Sequence, residues 1–146
     1  MSHFIELHAR SAFSFLHGTE QPAALVERAA DLEMGELALC DHSGFAGAPR
    51  FYAAARATGL RAIVGTELPL EDGSALPVLV ASRQGYENLC RLLSRAKLRV
   101  KKGEEKIAWD ELPGAVEGLR CLTGDREGPV RWHLARGDLQ GAEDSA

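Results

Sequence analysis

The side chains with metal-ligand or acid–base chemistry fall into separate groups along this chain: Glu6, His8 and Arg10, then Asp41 and His42, then Glu67, then Asp125. Imidazole nitrogens and carboxylate oxygens drawn from separate segments are the donors used at Zn²⁺, Mn²⁺ and Fe sites. A metal held in that way can activate water for phosphoester hydrolysis. Each group can also be read as an ordinary polar strand end or helix start. Arg10 is discordant, because a guanidinium stays protonated and cannot ligate a cation. Asp41 has two readings of equal weight: a carboxylate orienting the His42 imidazole, or a cap on the following turn.

Such groups work together only if elements far apart in sequence present them at one rim. Short apolar runs alternate with segments of helical period, and Gly, Pro or Asp marks each junction, which predicts βα units and an α/β fold. The expected strands are Phe4–His8, Leu37–Cys40, Arg61–Val64, Pro77–Ala81 and Leu119–Leu122. Helices are expected over Pro22–Met34 with Thr19 as N-cap and Gly35 past its end, over Ala48–Thr58 ending at Gly59, over Arg83–Lys97 with Ser82 as N-cap, and over Pro129–Arg136. A short helical piece is expected near Trp109–Leu112. Residues 1–138 read as one domain and 139–146 as a disordered tail.

Strand alternation would place Glu6, His8 and Arg10 on one face, with Ile5 and Leu7 packed against helices on the other. Tyr86, Leu89, Cys90 and Leu93 share a helical stripe that reads as core. Successive parallel strands with right-handed crossovers put catalytic groups at strand carboxyl ends. About five strands cannot close an eight-stranded barrel, so the sheet is open or the barrel incomplete.

At 146 residues the chain suits a single module, and 45% hydrophobic with 26% charged residues is ordinary globular composition, which argues against disorder. No apolar run approaches the roughly 20 residues that span a bilayer, and the N-terminus lacks a signal-peptide apolar region, so the expected location is cytoplasmic and away from membranes. Cys40, Cys90 and Cys121 are widely spaced and read as buried thiols. A net charge of −4 argues against general attraction to nucleic acid. The run from Arg91 to Lys106 reads first as a solvated helix end and loop, and alternatively, through Arg99, Lys101 and Lys102, as a phosphate-backbone contact. His3 and His133 fall outside the expected site, and dinucleotide, P-loop and serine-hydrolase motifs are absent.

The segments FIELHARSAFSFLHG, ALCDHSGFAG, IVGTEL and LVASRQGYENLCRLLSRA, in that order, resemble the polymerase-and-histidinol-phosphatase (PHP) domain that opens bacterial C-family replicative polymerases. ELHARSAFSFL and SRAKLRVKKGEEKIAWDEL bring it nearest to the error-prone branch. The resemblance implies a distorted seven-stranded β/α barrel, cut short here, whose mouth holds up to three metal ions. In some relatives that cluster hydrolyses phosphoesters or proofreads 3′ ends; in many polymerases it is degenerate and structural.

Carried over residue by residue, the resemblance makes His8, His42 and Glu67 metal ligands as they stand, with His17 and Asp125 as replacements able to ligate. Arg10 and Arg95 fall where the family has ligating histidines, and the last Asp-x-His pair has no counterpart. The expectation is therefore no metal or weakly bound Zn or Mn. Arg10 and Arg95 would neutralise Glu67 and Asp125 through charge-assisted hydrogen bonds, with Glu6 and Asp41 in supporting positions.

Two functional readings follow. The first is a structural or binding module, the PHP portion of an error-prone DNA polymerase III alpha-like protein acting in DNA replication and repair, without the polymerase's own catalytic acids. Its expected partners are DNA and polymerase-associated proteins, with self-association through incomplete barrel edges. The second is a residual metal-dependent phosphoesterase or 3′–5′ exonuclease using His8, His17, His42, Glu67 and Asp125.

Overall fold

A computed structural model describes residues 4–146, so His3 lies outside the described residues. The strands are β1 (Glu6–Ala9), β2 (Glu36–His42), β3 (Arg61–Pro69), β4 (Ala75–Val80) and β5 (Leu119–Cys121). The α-helices are α1 (Pro22–Asp31), α2 (Ala48–Thr58), α3 (Arg83–Leu98), α4 (Pro129–Leu134) and α5 (Leu139–Asp144), with a 3₁₀ turn over Trp109–Glu111. The strands form one open sheet in the order β1-β2-β3-β4-β5. The fold is α/β, as the alternation of periods predicts. The chain divides into two compact units at Thr66 and Glu67, inside β3.

In the first unit, β1 runs parallel to β2, and α1 and α2 close over a core of Val26, Ala29, Leu37, Leu39, Phe51, Ala55 and Leu60. Pro22 opens α1 in the first turn, where its missing N–H costs nothing; the cap position is Gln21, not Thr19, and it makes no side-chain cap bond. The helix ends at Asp31, before Met34, and the chain leaves it through left-handed Glu33 (φ 56°), ahead of Gly35. α2 has the expected bounds and ends on left-handed Gly59 (φ 76°).

One strand expectation needs correction. The β1–β2 register pairs Glu6 with Leu37 but Ala9 with Leu39, so a bulge lies between Glu6 and Ala9. An extra residue in one strand interrupts the alternation on which a shared Glu6/His8/Arg10 face depends. Leu7 is exposed rather than packed under helices, whereas Glu6, His8 and Arg10 are half-buried.

In the second unit, Leu70–Ser74 is all that joins β3 to its neighbour β4, too short for a parallel crossover, and β5 is antiparallel to β4. The expectation of parallel strands throughout thus fails at this end of the sheet. Ser82 caps α3 as expected, accepting from the Gly85 N–H at 3.2 Å. The buried stripe of α3 is Gly85, Leu89, Leu92, Leu93 and Ala96. Tyr86 and Cys90 sit at its edge, because Leu92 and Ala96 extend the stripe on the side opposite to the one read from sequence. Only Cys40 is a buried thiol; Cys90 is half-buried and Cys121 exposed. Residues read as a disordered tail form α5, capped by Asp138, with Ala142 buried.

Gly85 is where α3 meets the chain before β5: a Cβ there would collide with the Gly118 carbonyl. A Cβ on Gly35 would meet nothing within 4 Å. Gly85→Ala should therefore lower the unfolding free energy by about 1–3 kcal/mol, as overpacking does, while Gly35→Ala stays within about 0.5 kcal/mol. Urea denaturation of both variants measures the contrast.

Candidate functional site

Asp41 ends the buried part of β2 at 3% exposure, and its carboxylate is occupied by hydroxyls and an amide. Its Oδ1 accepts from the Ser11 N–H (2.7 Å) and the Ser14 hydroxyl (2.7 Å), and its Oδ2 from the Ser11 hydroxyl (2.8 Å). Ser14 Oγ in turn accepts the His42 N–H at 2.9 Å. Asp41 thus ties the loop after β1 to the end of β2. Gly47 leaves room for this, since a Cβ there would come within 2.6 Å of Asp41 Oδ2.

Thr66 braces the same turn from β3. Its hydroxyl donates to the Asp41 carbonyl (2.8 Å) and accepts from the Gly44 N–H (3.0 Å). Ser43 is left-handed (φ 52°), and so is Leu16 (φ 66°) in the opposing loop. Non-glycine residues held in that region carry strain that the surrounding hydrogen bonds must sustain. The result is that His17 and His42 meet at the surface, rings stacked 6.0 Å apart and 16° from parallel.

The rings of His17 and His42, two of the expected ligands, are thus brought together. His8 is half-buried on the bulged strand, its backbone N–H donating to Glu6 Oε1 at 2.7 Å. In the second unit, Glu67 is 1% exposed on β3. Asp125 is exposed in the turn after β5, its Oδ1 accepting from the Glu127 N–H at 2.9 Å. Arg95 is exposed on α3. Arg99 caps α3 and donates to Glu111 Oε2 (3.0 Å) and the Lys106 carbonyl (3.3 Å), while Lys101 and Lys102 are exposed beyond it. Among the described residues, no three His, Cys, Asp or Glu side chains are gathered in a way that could hold a metal ion. Asp41 is engaged by Ser11 and Ser14, and the gathered donor set that a multi-metal cluster needs is not found among the described residues.

A second polar cluster escaped the sequence reading altogether. His133 Nδ1 lies 2.8 Å from Asp138 Oδ2, and its Nε2 lies 3.1 Å from Asp72 Oδ2. Asp72 also accepts from the Trp109 indole (3.1 Å) and from Ser74 N and Oγ (2.8 and 2.6 Å), and its carbonyl accepts from the Trp132 indole (3.1 Å). The helical spacing i±3 and i±4 around His133 holds no acid; its partners are five and sixty-one residues away. Desolvation alone would lower the His133 pKa, but hydrogen bonds and attraction from Asp138 and Asp72 outweigh it and hold the value above the ordinary 6.5. Burial works against the Asp72 carboxylate too, yet bonds from Ser74, Trp109 and His133 leave its pKa below 3.8. Asp138 is also lowered, chiefly by the Gly141 N–H and then by His133.

Comparison with known proteins gives these sites a context. Residues 6–146 match the family model described as PHP domain. The chain is 41% identical over 136 residues to an error-prone DNA polymerase of Pseudomonas fluorescens, covering 90% of this chain and 13% of that protein. It is 40% identical over 152 residues to an error-prone DNA polymerase of Mycobacterium bovis, covering 96% of this chain and 14% of that one. The chain thus spans about one seventh of the length of these curated relatives. Among solved structures, a Bifidobacterium adolescentis protein assigned as a metal-dependent phosphoesterase superposes with a TM-score of 0.52 at 24% identity, over 99% of this chain and 54% of its own. An amidohydrolase from Chromobacterium violaceum, solved with bound sulfate and no metal, gives 0.54 at 27% identity over 63% of this chain and 32% of its own.

Asp41→Asn keeps the shape of the side chain but replaces one acceptor oxygen by a donor that faces hydroxyl and amide donors. The expected loss is about 2–4 kcal/mol of unfolding free energy, whereas His17→Ala, at an exposed ring, changes it by less than about 0.5 kcal/mol. The His133 clasp predicts a pH signature. Its histidine contribution is complete below about pH 6.5 and fades as pH rises through the raised folded value; the carboxylate contributions are complete above about pH 3.8 and fade as pH falls through their lowered values. The stability gap between the wild type and His133→Ala should therefore be wider at about pH 5.5 than at about pH 8.5 in paired urea titrations.

Proposed function

The chain belongs to the PHP domain family, and from that membership we propose that it acts as the PHP portion of an error-prone DNA polymerase with a degenerate metal site, serving mainly to support structure and to contact DNA or partner proteins. The observation that carries this reading is the fate of Asp41. The carboxylate next to His42 in sequence is taken up by Ser11 and Ser14. Identity near 40% to error-prone polymerases over most of the chain supports the same assignment.

In this reading the loop after β1 is held by internal hydrogen bonds where a metal-dependent relative would use cations, and any Zn or Mn binds weakly through the His17–His42 pair. Lys101 and Lys102, exposed beyond the end of α3, are the expected phosphate contacts. Arg99 serves more to pin the chain around Glu111. Among the described residues no helix is long and apolar enough to cross a membrane. The residual phosphoesterase reading rests on the meeting of His17 and His42, and the same experiment decides between the two.

Protein purified without chelators should carry well under one equivalent of Zn or Mn by elemental analysis, and should show no Mn²⁺-stimulated cleavage of bis-p-nitrophenyl phosphate or of a 3′-labelled oligonucleotide. One or more tightly held equivalents, with hydrolysis abolished in His42→Ala, would overturn the proposal. Binding of a labelled oligonucleotide should weaken steeply with salt, and the double change Lys101→Glu, Lys102→Glu should flatten that dependence by roughly two charges' worth of slope.

A further inference from the structure

The second unit carries a groove of about 580 Å³ along the outer side of α3, lined by Cys90, Arg91, Ser94, Arg95 and Leu98 with Ala115 opposite. Its character is mixed. Leu98 is 86% exposed, an apolar side chain of that size left in water at the end of a helix whose other leucines, apart from it, are buried. Arg91 and Arg95, four residues apart, stand on the same side of the helix as neighbours.

The cations of this region differ in how far they are already satisfied. Lys97 is paired with Glu105 at 3.3 Å and Arg99 with Glu111 at 3.0 Å. Arg91 meets Glu87 only at 3.6 Å, and Glu87 is held more closely by Arg83 at 3.1 Å. Arg95 acts on Glu111 through longer-range attraction, behind the direct Arg99 contact. The two arginines lining the groove are thus less closely paired than Lys97 and Arg99, which leaves them donors for further charge-assisted hydrogen bonds.

We propose that this groove docks an acidic, leucine-bearing segment of a partner protein, its aliphatic side chain seated on Leu98 and Ala115 and its carboxylates on Arg91 and Arg95. A guanidinium pair beside an apolar floor suits this chemistry, with the apolar contact supplying affinity and the charges supplying register. Single-stranded nucleic acid suits it less well, because none of the side chains that line the groove is aromatic and bases have no platform to stack on.

Cys90 provides a reporter inside the groove, since it lines the cavity and is half-buried, whereas Cys121 is exposed and serves as the internal control. The probe is a fluorescein-labelled synthetic peptide with two leucines flanked by glutamates; its charge-reversed lysine counterpart and an oligo-dT strand are the competitors. Binding is read by fluorescence anisotropy, and protection by the rate of iodoacetamide alkylation at Cys90 relative to Cys121, resolved by peptide mass spectrometry. The acidic peptide should bind, slow Cys90 alkylation selectively, and lose about tenfold or more in affinity with Arg95→Glu or Leu98→Asp, both exposed positions that leave the core intact. Lys101→Glu, outside the groove, should change affinity by less than about twofold. Absence of peptide binding, unchanged affinity in both groove variants, or stronger Cys90 protection by oligo-dT than by the peptide would each overturn the proposal.

Discussion

The turn at the end of β2 depends on one buried carboxylate and the donors that surround it. Asp41 is nearly inaccessible, and a carboxylate in that position is tolerable only because Ser11 and Ser14 supply an amide and two hydroxyls to it. The same bonds fix the path of the loop after β1, and through Ser14 they hold the backbone of His42. Thr66 adds a clamp from the third strand. The left-handed residues Leu16 and Ser43 are sustained by this network, and the encounter of His17 with His42 follows from it.

This arrangement shows how hydrogen bonds alone can hold a loop of this scaffold against the end of a strand. Metal ions in a cluster do structural work as well as catalysis: they neutralise acids and cross-link loops. Around Asp41, two serine hydroxyls and one backbone amide meet the carboxylate and join two loops. These bonds are short-range and directional, and they hold the loop after β1 in place.

The sequence carried the order of elements well, because periodicity and punctuation are local signals. Pro22, Ser82 and Gly59 mark helix ends by mechanisms that act within one turn, and the structure uses all three. What the sequence concealed was non-local. The β1 bulge depends on its pairing with β2, which no local pattern in the strand announces. The role of Asp41 depends on serines about thirty residues away, and that of His133 on an aspartate sixty-one residues away. Arg95 aligned with a family ligand by position alone, yet its surroundings on α3 are those of a surface groove. The helix over Leu139–Asp144 is capped by Asp138, whose carboxylate also meets His133.

The chain contains two tryptophans, and both direct their indole N–H groups to Asp72, one to its side chain and one to its carbonyl. Trp132 is also covered by the Arg136 guanidinium, 3.3 Å from the ring centre. Intrinsic emission from this protein is consequently a local gauge, sensitive to loosening around Asp72 and blind to events near Asp41. Melting followed by indole fluorescence and melting followed by far-ultraviolet dichroism thus observe different parts of the molecule, and the separation between the two curves reads directly how far the two units unfold as one.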